Sequence, residues 1–234
     1  MSVILYLIPT PLGKVSAEKS LPSSVISLIH ELKYFAVEQV KTSIQFLQSI
    51  KHPVTEFELN FIVINKQQKD SEQDMEVLNL LLSGESVGLM SEAGCPGVAD
   101  PGAQVVALAH KKGFKVIPLI GPSSILMALM GSGFSGQSFS FVGYLPKDKK
   151  DLKSRIKELE SLSKKFNQTQ IFIETPFRNN QMLENLKTYC SPSTQLSIAA
   201  NINQKNEIIK TLPISKLRTG EFNIHKIPTV FSIM

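Results

Sequence analysis

Tryptophan is absent from this chain of 234 residues, and cysteine nearly so. Cys95 and Cys190 stand alone and far apart. They give no disulfide framework and fit a reducing, cytoplasmic setting. No apolar run approaches the roughly 18 residues of a membrane helix, so no membrane partner is expected. The opening MSVILYLIPT lacks a basic stretch before its short apolar run and reads as a strand, not a signal peptide. The four histidines are scattered without metal-ligand spacing, so no metal site is expected. Repeats, low-complexity tracts and long linkers are missing as well.

What is present is a globular composition, 42% apolar, in a chain long enough for one large or two modest domains. The net charge of +5 is unevenly spread. Residues 1–146 carry 10 basic and 12 acidic side chains, a net of −2, whereas residues 147–234 carry 15 and 8, a net of +7. A basic half suits a polyanion such as RNA. A solvated helix face is the competing reading, because Lys153, Lys157, Glu158 and Glu160 are helical neighbours. Without tryptophan, any base-stacking platform has to use Phe or Tyr.

Strands and helices alternate. Val3 to Ile8, Tyr34 to Val37, Phe57 to Ile64, Val87 to Met90 and Lys115 to Leu119 read as strands. Between them lie helices capped near Ser20, running past Ile44 and Leu47, starting at Ser71, and spanning Ala103 to Lys112. This repeated βα order predicts a mainly parallel sheet with helices on both faces. Gly121-Pro122 marks a boundary between domains at 1–120 and 121–234. The second domain begins with an apolar helix, Ser123 to Met130, in which Leu126, Met127 and Met130 are expected in the core. Strands at Phe139, Gln170, Gln195, Glu207 and Thr229 follow, with a charged helix from Asp148 to Lys165. More strands per helix predict a mixed second sheet.

The segment Ser91-Glu92-Ala93-Gly94-Cys95-Pro96-Gly97-Val98-Ala99-Asp100-Pro101-Gly102 leaves the carboxyl end of a strand and feeds a helix. Ligands sit at such places in open α/β sheets. Gly permits close approach to the backbone, and Pro stiffens the loop. The string resembles the S-D-A-G-T-P-G-x-x-D-P-G signature of the ribosomal RNA small subunit methyltransferase I family, within the tetrapyrrole-methylase-like (class III) S-adenosylmethionine-dependent methyltransferases. Four further stretches match that family in the same order. Ile8-Pro9-Thr10-Pro11-Leu12-Gly13 resembles A-T-P-I-G, and Gly121-Pro122-Ser123-Ser124 resembles G-P-S-A. Phe139 to Pro146 is similar to F-x-F-x-G-F-L-P, and Phe172 to Arg178 to F-Y-E-S-P-H-R.

The resemblance implies two α/β domains with S-adenosylmethionine folded in the cleft between them, a homodimer, and transfer of a methyl group to a ribose 2′-hydroxyl of ribosomal RNA in the small subunit. It places donor contacts at Pro9, Ala93, Gly94, Pro96, Ser123 and Ser124, and near Phe141, Ala199 and Pro228. Ser123 and Ser124 also read as helix caps, and Ala199 and Pro228 as plain sheet positions. Charged residues for handling the acceptor are Glu38, Lys41, Glu92, Asp100, Glu174 and Arg178. Glu38 stands at the family's E-D-T-R and is the expected base, with Lys41 beside it. Arg178 suits a phosphate, or pairs with Glu174 one helical turn away. Asp100 suits its own loop's backbone donors, and Cys95 reads as a small filler where the family has Thr.

The chain departs from the family mainly on the acceptor side. Gln39 and Lys41 replace the D and R of E-D-T-R, and Gly13-Lys14-Val15-Ser16-Ala17 replaces G-N-L-x-D. Ala199 to Gln204 lacks the E and K of A-x-E-L-T-K. Two other functions therefore stay open: methylation of a tetrapyrrole or another small molecule, and RNA or S-adenosylmethionine binding without catalysis.

Overall fold

A computed structural model describes residues 3–64 and 71–234. The chain divides into two compact units, 1–123 and 124–234.

In the first unit five strands, β1 (Ile4–Ile8), β2 (Tyr34–Val37), β3 (Asn60–Val63), β4 (Val87–Met90) and β5 (Lys115–Pro118), form one sheet in the order β3-β2-β4-β1-β5. Every pairing is parallel. That requires a crossover after each strand, and the helices supply it. α1 (Ser23–Ile29) and α2 (Val40–Ser49) bury Val25, Ile29 and Leu47 with Ile8, Phe35 and Val37 on one face. α3 (Glu72–Leu82) and α4 (Ala103–Lys111) bury Val77, Leu81 and Val105 with Leu5, Ile62 and Leu89 on the other. The neighbours β1 and β4 thus send their chains to opposite faces, and a crevice opens at their carboxyl ends. α3 starts as its sequence suggests. The Ser71 hydroxyl accepts the Asp74 N–H at 3.1 Å, and the Asp74 carboxylate accepts the Ser71 N–H at 3.2 Å.

Two local expectations for this unit change. Ser20 ends a one-turn 3-10 helix (Ala17–Lys19) instead of starting α1, whose N-cap is Pro22. β3 is shorter than its apolar pattern, because Phe57 lies in a turn and is 93% exposed.

The second unit holds β6 (Phe139–Tyr144), β7 (Thr169–Ile173), β8 (Gln195–Ala200), β9 (Ile208–Pro213) and β10 (Thr229–Ile233) in the order β6-β7-β10-β8-β9. Only β6 and β7 run parallel; the rest are antiparallel, so the sheet is mixed as expected. α6 (Lys149–Phe166) and α7 (Asn179–Tyr189) cover one face through Leu152, Ile156, Leu159, Met182 and Leu186, packed with Phe172, Ile198 and Phe231. α5 (Ser124–Ser132) packs on β8, β9 and β10. A Cβ on its Gly131 would stand 2.8 Å from Ile209 Cγ2, so the absent side chain lets helix and sheet approach. α5 ends at Ser132, within the glycine-containing stretch 131–133 and two residues past the expected Met130. Two of its apolar residues are not core: Leu126 is 50% exposed and Met130 81%.

Glu160 on α6 is an internal staple. Its buried carboxylate accepts the Ser191 N–H at 2.5 Å, the Thr194 hydroxyl, and Lys157 Nζ at 3.1 Å. Burial pushes its pKa up, but these hydrogen bonds outweigh it and hold the group at about 2 instead of 4.5. The folded value lies below the unfolded one, so the extra stability is present above pH 4.5 and disappears as pH falls through about 2. Glu160→Gln should cost on the order of 1–3 kcal/mol at pH 7. In thermal melts, the gap between variant and wild type should close as pH drops across that window.

Candidate active site

Three loops of the first unit meet at the carboxyl ends of β1, β4 and β5. Thr10, just after β1, exchanges two backbone bonds with Gly94: Thr10 N–H to Gly94 O at 2.9 Å, and Gly94 N–H to Thr10 O at 3.0 Å. The buried Thr10 hydroxyl also donates to Ser91 O at 3.1 Å. From the same loop, Cys95 Sγ donates to Pro122 O beyond β5 at 3.4 Å. Burial pushes the Cys95 thiol up, with a Ser123 hydrogen bond opposing. It stays a neutral filler, not a thiolate nucleophile.

The turn after β4 relies on left-handed backbone. Gly94 has φ +83° and Gly102, the N-cap of α4, has φ +119°. A Cβ at Gly102 would meet Leu89 Cδ1 and Cδ2 at 2.8 Å. A Cβ at Gly94 would meet only Leu12 Cδ2 at 3.4 Å and Pro122 O at 3.6 Å. Gly94 is therefore required by its backbone angle more than by crowding. Pro9 is buried, Pro96 and Ser123 are half-buried, and Ala93 is exposed, all on these three loops.

A cavity of about 280 Å³ opens where the loops after β1 and β4 face the start of α2. Thr10, Lys14, Thr42, Ser43, Ser91 and Glu92 line it. Glu92 is half-buried, and its Oε1 accepts the Thr42 hydroxyl at 2.7 Å. That same hydroxyl has Gln39 O as a second acceptor at 3.0 Å. Ser43 donates to Gln39 O at 2.8 Å, and Gln39 is the N-cap of α2. The carboxylate is thus fixed to the first turn of a helix. Glu38 follows β2 directly and is half-buried; Lys41 is exposed on the first turn of α2. Neither lines the cavity, whereas Glu92 does. Sequence reasoning missed Thr42, since nothing local signals that β2 and β4 are neighbours.

The other expected donor contacts lie in the second unit. Ser124 is the first residue of α5. Phe141 is half-buried in β6, just before the irregular register at Gly143, whose φ is +71°. Ala199 is buried in β8 opposite Val230. Pro228 is exposed before β10, and its carbonyl accepts the Asn201 N–H at 2.9 Å. Glu174 and Arg178 do pair: Arg178 Nη2 donates to Glu174 Oε2, and Glu174 Oε1 accepts the Thr175 N–H at 2.6 Å. Among the described residues, no three of His, Cys, Asp or Glu are grouped to hold a metal ion, and no helix is long and apolar enough to cross a membrane.

No family model matches the chain. It is 31% identical over 216 residues to ribosomal RNA small subunit methyltransferase I of Vibrio cholerae, an overlap of 92% of this chain and 70% of that one. Over 180 residues it is 34% identical to the Bacillus subtilis protein of the same name, 77% of this chain and 57% of that one. The chain therefore spans 70% of one relative's length and little more than half of the other's. Among solved structures, the methyltransferase CobJ shares the fold with a TM-score of 0.65 at 15% identity, over 100% of this chain and 94% of that one. Diphthine synthase does so with 0.66 at 17%, over 100% and 90%. The fold is that of the tetrapyrrole methylases, and by its identity to the Vibrio protein the chain belongs to the ribosomal RNA small subunit methyltransferase I family.

Proposed function

We propose that the chain transfers a methyl group from S-adenosylmethionine to a ribose 2′-hydroxyl of small-subunit ribosomal RNA. The observation that carries this reading is the joining of three loops at the carboxyl ends of β1, β4 and β5. They present left-handed backbone at Gly94 beside a polar cavity. Relatives named ribosomal RNA small subunit methyltransferase I support methyl transfer to that RNA. The same reading makes the enzyme a cytoplasmic homodimer that uses no metal, as the resemblance implies.

The residues present fit S-adenosylmethionine. Gly94 carries no side chain, and Pro9, Ala93, Pro96 and Ser123 add small or rigid groups on the same three loops. The other expected donor contacts, Ser124, Phe141, Ala199 and Pro228, lie on the second unit's own elements or beside them. Bound there, the cofactor supplies a methyl group activated on a sulfonium. What the chain must do is position the acceptor, exclude water and take its proton. Positioning of this kind can lower a barrier by roughly 7–11 kcal/mol.

Glu92 is the proton acceptor in this account. It lines the cavity, and Thr42 fixes its orientation. Lys14, on the same wall, balances the charge of a developing alkoxide or a neighbouring phosphate. The test is tritiated methyl transfer to unmethylated small ribosomal subunits, run beside a uroporphyrinogen-type substrate. Label in RNA supports the reading. Label only in the tetrapyrrole assigns a small-molecule acceptor. Donor binding with no transfer to either assigns a non-catalytic role.

A further inference from the structure

The approach to α7 carries surface features that methyl transfer does not use. Phe177 is 67% exposed. Its ring is braced from its own unit: His225 meets it edge-on with centroids 6.1 Å apart, and Lys226 Nζ lies 5.5 Å from its centroid. The Lys226 N–H donates to Pro176 O at 2.9 Å, which ties this braced segment to the turn. Single exposed aromatics are common on surfaces. One held by a cation and a second ring is pre-oriented for another flat partner.

The next residue, Arg178, borders a cavity of about 260 Å³ lined also by Lys147, Lys149, Glu174, Gln181 and Asn185. Glu174 is the only carboxylate in this lining, and it is already engaged by Arg178 and the Thr175 N–H. A guanidinium has five N–H donors, and the pair with Glu174 uses one. The cavity thus offers two ammonium groups, a clamped guanidinium and two side-chain amides. That set matches a phosphodiester. The site sits in the half of the chain with net charge +7.

We propose that the entrance of α7 binds one nucleotide of single-stranded RNA, with its phosphate in the Lys147–Lys149–Arg178 cavity and its base stacked on Phe177. The proposal rests on RNA being the substrate. It makes Arg178 an RNA-gripping residue, not a participant in the chemistry, and Glu174 the group that positions it. A duplex hides its base faces, so an unpaired segment is required. Phe177 stands where the family pattern has His, so the stacking surface is this chain's own.

The test uses the full chain, a labelled eight-nucleotide oligoadenylate, and small ribosomal subunits. Phe177→Ala should weaken oligonucleotide binding roughly 5- to 150-fold. Phe177→Trp should restore it, and Phe177→Leu should not. Removing Arg178 leaves the Glu174 carboxylate buried without its cation. The phosphate cavity is therefore probed by the double variant Lys147→Ala, Lys149→Ala, which should lower the salt dependence of binding by about one unit of slope per lost contact. S-adenosylmethionine affinity should not change in any of them. The proposal alone is overturned if the wild type methylates ribosomal RNA while the Phe177 and lysine variants bind oligonucleotide unchanged. It is also overturned if Phe177→Leu binds as well as Phe177→Trp, which would show a generic apolar contact. A wild type that neither binds nor methylates RNA overturns both this site and the RNA reading of function.

Discussion

Gly94→Val should bind S-adenosylmethionine at least about a hundredfold more weakly than the wild type and transfer no measurable methyl group. Gly94 has φ +83°, where a β-branched residue is strained by about 1–3 kcal/mol. Its N–H and C=O are both paired to Thr10, so the backbone cannot rotate away without breaking the junction of the β1 and β4 loops. An added Cβ alone would only touch its neighbours, at 3.4 Å from Leu12 Cδ2 and 3.6 Å from Pro122 O. The added methyls would instead occupy the surface offered to the donor. Gly113→Val separates strain from ligand loss, because Gly113 has φ +79° and nothing within 4 Å of an added Cβ. The control should lose stability but keep donor affinity. Calorimetry giving Gly94→Val the wild-type affinity would remove this loop from the donor site.

The second large effect is on turnover. Glu92→Gln should lower kcat by about 10²-fold or more while donor affinity stays intact, as expected for loss of a general base. Glu38→Gln should do much less, because Glu38 lies outside the lining of the cavity. Single-turnover methylation of small subunits by both variants checks this. If Glu38→Gln is the inactive one and Glu92→Gln turns over normally, the base is Glu38, where the motif order alone puts it.

That contrast shows where sequence stops. The motif order placed Glu38 and Glu92 each at a strand end. The adjacency of β2 and β4 is set by a crossover that no local pattern records, and the Thr42–Glu92 bond depends on it. Elements with strong local signals were legible. β2, β4, β6, β8 and β10 lie where alternating or β-branched runs put them, and the Ser71–Asp74 capping box announces α3. α5 was legible as a helix but not as a face. It is apolar nearly all round, so its pattern does not say that Leu126 and Met130 point outward. Glu174 and Arg178 allowed an ion pair or a phosphate grip, since spacing of i,i+4 permits both. The ion pair is formed, and the rest of the guanidinium still borders a basic cavity.

The proposed reaction is 2′-O-methylation of small-subunit ribosomal RNA from S-adenosylmethionine. Its most direct test is to incubate the protein with unmethylated small subunits and deuterated-methyl S-adenosylmethionine, digest the RNA to nucleosides, and identify the labelled product by mass spectrometry. One labelled 2′-O-methylnucleoside is expected, present with wild type and absent with Gly94→Val. Label on a base, or label in no RNA nucleoside at all, would contradict it.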